Sequence, residues 1–130
     1  MTRHAPLAVL AALTLAAAGL TACEKQIDAP RDTGVCWNVV TLPNGEMKFN
    51  KLTDHEPTLE SCAASLESMR IRFERLGSTQ GIVTGAYQGQ YLFIANDGVF
   101  TSQTLKGGRY LFLVRTGDGR LAKSSAMPRQ

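Results

Sequence analysis

Cys36 and Cys62 limit the fold of this chain more than any other pair of residues. Each falls inside a different pattern. Leu59, Cys62, Leu66, Met69, Phe73 and Leu76 recur at spacings of three and four, which places them on one stripe of a helix over residues 57–76. Residues 35–42 (VCWNVVTL) are rich in β-branched side chains and read as a first strand. A bond between Cys36 and Cys62 therefore staples helix to sheet. Closing a loop of about 26 residues contributes ~3 kcal/mol in the chain-entropy model.

Such a bond needs an oxidising compartment, and the N-terminus supplies the route to one. Arg3, the charge-free apolar run 7–20 (LAVLAALTLAAAGL) and the small residues after it form the three zones of a secretory signal. The apolar run spans about 21 Å as a helix, short of the ~30 Å hydrocarbon core, which favours a signal over a permanent span.

Leu20-Thr21-Ala22-Cys23 at the end of that run resembles the lipobox of bacterial lipoproteins. The resemblance covers the first 23 residues. It implies cleavage before Cys23, a thioether-linked diacylglycerol on its sulfur and a third acyl chain on its amine. At ~0.8 kcal/mol per buried methylene, two or more chains give stable anchoring. A plain cleaved signal ending at Ala22 is the alternative. Glu24 stands where inner-membrane-retained lipoproteins often carry aspartate, which favours the outer membrane of a two-membrane host and a domain facing the periplasm. The remainder resembles small uncharacterised bacterial lipoproteins and carries over no functional residue.

The expected division is a cleaved signal (1–22), a lipidated cysteine with a polar tether (23–34), a domain (35–123) and a flexible tail (124–130). The tether contains Pro30 and Gly34 and lacks apolar periodicity; fully extended it reaches under about 40 Å. The mature length suffices for one small domain, whose modest core a covalent staple would support. With Cys23 acylated, the remaining even pair is most simply a disulfide. A structural zinc site wants four ligands in close pairs, and a redox dithiol wants C-x-x-C; His55 is the only mature histidine and no such pair exists. Neither metal nor cofactor is expected.

The rest of the chain reads as strands. Residues 47–52 alternate as a hairpin partner across the Pro43-Asn44-Gly45 turn, and 81–87, 91–95, 99–104, 110–115 and 120–123 follow. Gln88-Gly89, Asn96-Asp97-Gly98, Gly107-Gly108 and Gly117-Asp118-Gly119 separate them. Pro57 suits the first helical turn and Gly77 the left-handed stop. The sum is an α+β domain: one amphipathic helix packed on a mainly antiparallel sheet, with Glu60, Glu67, Arg70, Glu74 and Arg75 forming its solvated face.

Charge is uneven along the chain. Four bases stand against eight acids over 24–69, and nine bases against three acids over 70–130. Two halves that face each other within one domain would cancel much of this; a basic surface for anionic lipid, glycan or an acidic partner is the competing arrangement. Nucleic acid is excluded as a partner by the export signal.

No catalytic constellation stands out. His55 lies at the helix entry without a G-x-S-x-G elbow, and Asp97 and Asp118 sit in turns, where aspartate has a conformational use. Gly117-Asp118-Gly119 lacks the G-K-[ST] continuation of a phosphate loop. Residues 85–93 (GAYQGQYLF) could line a shallow polar-aromatic groove, and Trp37, Tyr87 and Tyr91 are the candidate binding face; buried packing is the competing use of all three. The leading expectation is a non-enzymatic, membrane-anchored lipoprotein that binds an envelope protein or cell-wall component, or is an accessory subunit of an envelope assembly. The alternatives are a module for peptide, glycan or small amphiphile, and a small hydrolase or an inhibitor of one.

Overall fold

The computed structural model describes residues 25–124. The signal, Cys23 and the tail after Ser124 lie outside the described residues. The elements run β1 (Cys36–Thr41), β2 (Met47–Thr53), α1 (Leu59–Arg75), β3 (Val83–Tyr87), β4 (Gln90–Ala95), β5 (Gly98–Ser102), β6 (Tyr110–Arg115) and β7 (Leu121–Lys123). All seven strands form one antiparallel sheet in the order β2-β1-β3-β4-β5-β6-β7. The β2–α1–β3 connection crosses β1, so the helix lies over one face while β1 keeps a neighbour on each side. This is the expected α+β domain.

Local chemistry sets the helix ends. Thr58 is the N-cap: its side chain accepts from the Ser61 N–H, and the Ser61 hydroxyl accepts from the Thr58 N–H, a capping box. Pro57 thus stands just outside the helix rather than in its first turn. At the other end Gly77 takes φ 87°, its N–H donates to Glu74 O, and Ser78 N–H donates to Phe73 O at 2.9 Å. That is a complete Schellman motif, and it requires the conformation glycine adopts without strain.

The helix buries Cys62, Ala63 and Leu66 against the sheet, where Leu66 sits directly on Gly85 of β3. A Cβ at Gly85 would collide with Leu66 Cδ1 and stand 2.9 Å from Trp37 O. The disulfide joins Cys36 to Cys62 across this contact with a Cα–Cα distance of 5.4 Å, and both residues are fully buried.

The helix departs from the expected stripe in its second half. Phe73 is 39% and Leu76 81% exposed, whereas Glu67 and Arg70, expected on the solvated face, are buried. The inward line runs through Cys62, Ala63, Leu66, Glu67 and Arg70. Arg70 donates through Nε and Nη2 to both Glu67 oxygens (2.8 and 3.1 Å) and through Nη1 to Asn96 Oδ1 (2.9 Å) and to Glu74. Arg115 of β6 adds a 2.9 Å bond to Glu67. Charged side chains can turn inward here because each carboxylate oxygen and most guanidinium N–H groups meet a partner. Arg115–Glu67 and Lys123–Glu60 (3.2 Å) also join the basic and acidic halves of the chain.

The segment expected to be a free tether is docked from Ile27 onward. Ala29 is buried on the sheet, Tyr91 donates its hydroxyl to Ile27 O at 2.7 Å, and Gly89 N–H donates to Pro30 O at 2.8 Å. Gly34 N–H donates to Gln88 Oε1 at 2.9 Å, and Gly34 O accepts from Glu56 N–H at 2.8 Å. The domain therefore begins several residues before position 35.

Candidate functional site

Alternation along the strands gives the sheet a second apolar face, away from the helix. Val39 of β1, Ala86 of β3, and Tyr91 and Phe93 of β4 are buried there with Ala29 of the docked segment. Trp37, Met47, Phe49, Phe100 and Leu105 pack around them, partly buried. β4 (QYLFIA) shows why: Leu92 and Ile94 point to the helix while Tyr91 and Phe93 point away, and all four are buried. A strand that is apolar on both faces has both faces covered.

On this face an open groove of about 730 Å³ lies between the N-terminal segment and the chain after β5. Val39, Thr84 and Phe93 lie at its floor; Ile27, Met47 and Leu105 flank it; Lys25, Lys106 and Arg109 bring positive charge to a lining that also includes Gln26, Thr41 and Thr104. The Arg109 guanidinium stacks over the Phe93 ring, 3.6 Å from its centroid. Cation–π attraction holds that charge above an apolar floor. Among the described residues no carboxylate, histidine or cysteine lines the groove. The volume falls within the roughly 300–1,000 Å³ usual for small-molecule sites.

The three residues expected to form a binding face are not brought together. Trp37 and Tyr91 share the helix-free face, while Tyr87 lies on the helix side. Both tyrosines are buried, and each hydroxyl has a structural partner: Tyr87 donates to Glu56 O and Tyr91 to Ile27 O, both at 2.7 Å. Burial, with the nearby Asp28 charge adding to it, raises the Tyr91 phenol above its ordinary value. The Trp37 indole N–H is buried without a partner among the described residues. The polar part of the 85–93 segment is more open. Gln88 and Gln90 line a hollow of about 320 Å³ beside Arg31 and Gln103.

Gln88 and Gly89 form that turn with φ 44° and 85°, the two positive values of a tight hairpin. In the Asn96-Asp97-Gly98 turn only Gly98 leaves the negative range, at φ 149°.

His55 is exposed, with a left-handed φ of 56°. Beside it, Glu56 accepts hydrogen bonds from Thr53 (2.7 Å) and Ser65 (2.8 Å). The neighbouring Ser61 hydroxyl, then Thr53 and Ser65, hold its carboxyl below the ordinary carboxylate range. Asp118 accepts from the Thr116 hydroxyl and from Arg120 N–H, which matches its expected turn role and lowers its carboxyl. Among the described residues no cluster of three or more His, Cys, Asp or Glu could hold a metal ion, and no helix is long and apolar enough to cross a membrane.

Met47, Leu105 and Arg109 escaped the sequence reading as site residues, and Phe93 entered it only as the end of the 85–93 segment. The continuous run YLFI was the available signal, because uninterrupted apolar residues in a strand mean two covered faces. Compared with family models, curated proteins and solved structures, the chain matches none.

Proposed function

We propose that this chain is a lipid-anchored binding subunit of a bacterial cell envelope, attached through acylated Cys23 and facing the periplasm. Its binding surface is the groove on the helix-free face, and it carries out no chemistry of its own. The observation that carries this reading is the groove itself: an open hollow with apolar floor and basic lining, walled on one side by the segment that leads back to Cys23. The lining supplies apolar contact and positive charge, the means by which a ligand is held, which supports a binding role. Glu24 after the anchor supports delivery to the outer membrane.

Crosslinking in intact cells, followed by affinity recovery of the mature protein, tests the reading. Wild type and the exposed helix-end variant Leu76→Glu should retain the same crosslinked species, and Met47→Arg, which fills the groove with charge, should lose it. Recovery of only an uncrosslinked monomer, or equal crosslinking by Met47→Arg, overturns the groove as the binding surface. A mature N-terminal peptide without the mass of acyl chains on Cys23 overturns the anchor.

A further inference from the structure

We infer that the C-terminal tip of α1 is a second membrane contact: Phe73, Leu76 and Ile82 enter the head-group layer of the bilayer that holds Cys23, with Arg72 and Arg75 on its anionic lipids. This rests on the lipid anchor proposed above and goes beyond it, since the groove takes no part in the contact.

The helix ends with the ordinary arrangement of its faces reversed. Its inward line passes to Glu67 and Arg70, which are buried, while Phe73 is 39% and Leu76 81% exposed. Residues three apart on a helix share one side, so these two stand together in solvent. Ile82, where the following loop reaches β3, is 47% exposed. Large apolar side chains left outside in this way mark a contact surface.

Charge selects what covers them. Arg72 and Arg75 are exposed in the last helical turn, Glu74 is taken up by Arg70, and residues 76–82 (LGSTQGI) contain no acid. Apolar side chains flanked by arginine suit the surface of an anionic bilayer. A second copy of the chain, docked about a twofold axis, would bring these arginines towards their own duplicates. Glu46, Asp97 and Asp118 sit in the strand turns of the same end, so the anionic preference belongs to the helix tip alone.

The topology puts this tip beside the anchor. The chain enters α1 next to the β3–β4 turn, where Glu56 O accepts the Tyr87 hydroxyl. Towards its other end Arg70 reaches Asn96 in the β4–β5 turn, and the β1–β2 turn lies at that same end of the sheet. The N-terminal segment climbs to it across the opposite face. Pro30 meets Gly89, Ile27 meets Tyr91, and Lys25 lines the groove with Thr41 at the end of β1 and Gly45 of the β1–β2 turn. Cys23 stands two residues before Lys25, within about 7 Å along an extended chain. The acyl chains thus leave from the end that carries the helix tip. The strands then stand steeply on the bilayer, and the groove opens along it. Losing the contact should tilt the domain without releasing it, so capture of a partner in the groove continues.

The test uses the mature lipidated chain, purified from bacterial membranes and reconstituted in vesicles of phosphatidylcholine alone or with phosphatidylglycerol. A fluorophore is placed on Thr79→Cys, in the loop, or on Gln103→Cys, at the opposite end of the sheet. Quenching by a brominated acyl chain and by aqueous acrylamide gives the ratio of lipid-facing to water-facing label. With phosphatidylglycerol the label at position 79 should face lipid and that at position 103 water. Leu76→Ser should lower the ratio at position 79 about tenfold. Arg72→Gln and Arg75→Gln should each lower it about fivefold with phosphatidylglycerol and leave it unchanged without. Lys51→Gln, far from the tip, should have no effect, and near-ultraviolet circular dichroism confirms the fold of each variant.

A position-79 label open to acrylamide in both vesicles, a position-103 label facing lipid instead, or a ratio that survives Leu76→Ser joined to Ile82→Ser overturns the contact. Shielding of position 79 in detergent, with a doubled mass in sedimentation, assigns the tip to a second copy of the chain and overturns the contact as well. Mass spectrometry of the same sample reads Cys23. An acylated Cys23 with an open position 79 overturns the contact alone, and an unmodified Cys23 overturns the anchor and the contact together.

Discussion

The two faces of the sheet are both apolar, yet they are closed by different means. The helix side is sealed covalently and by close contact: Cys36–Cys62, Leu66 seated on Gly85, and a charged lock of Glu67, Arg70 and Arg115 at the helix's second half. The other side is covered by irregular chain, held by single hydrogen bonds such as Tyr91 to Ile27 and Gly89 to Pro30, and it keeps an open groove. The stabilising contacts are thus concentrated on one surface of the sheet, and the proposed binding groove lies on the other. A domain of this size can leave one face partly open because the other is over-secured.

Removing Glu67 should break that contrast hardest. Glu67→Ala leaves the Arg70 and Arg115 guanidinium groups without their buried counter-charge, and one Arg115 N–H group already lacks a partner among the described residues. The expected loss is about 3–5 kcal/mol in urea denaturation. A loss below about 1 kcal/mol would mean that the lock is not structural.

Gly85→Ala comes next, because its methyl group must displace Leu66 or the strand itself. Overpacking of this kind costs about 1–3 kcal/mol, readable as a lower melting temperature with the disulfide intact.

On the open side the effects should be small and local. Tyr91→Phe removes the hydroxyl bonded to Ile27 O and should cost about 1 kcal/mol in global stability. Hydrogen exchange should quicken in residues 27–31 with little change in α1. A global loss as large as that from Gly85→Ala would erase the distinction between the faces.

The smallest expected effect is pH-dependent and sits at the helix entry. Glu56 is held below its ordinary carboxyl value, so its contribution is full above the unfolded-state value and disappears as pH falls through the lowered folded one. Wild type should lose stability across that acid window, and Glu56→Gln should flatten the slope there.

Much of the sealed face was legible in the sequence. Leu59, Cys62 and Leu66 carried the helical period, and the even cysteine pair that remains once Cys23 is read as a lipobox cysteine carried the staple. The charged lock was not legible. Glu67 and Arg70 read as solvated until Arg115, 48 residues further on, is known to approach. Such pairing leaves no trace in local periodicity. Gly85 read as one small residue in a strand, because its necessity lies in the distance to Leu66.

The open face was legible only in part. Docking of residues 27–34 runs largely through backbone carbonyls, and every residue has one, so composition could not separate a docked strap from a free tether. Tyr87 and Tyr91, four positions apart, fall on opposite faces because a two-residue turn lies between them.

The burial of both disulfide cysteines has a consequence for how the native molecule meets a reductant. Cys36 and Cys62 have no exposed surface, so a thiol can attack their bond only in the moments when α1 lifts from β1 and β3. The half-life of the native protein in dithiothreitol therefore clocks helix detachment, and any change that steadies the helix should lengthen it.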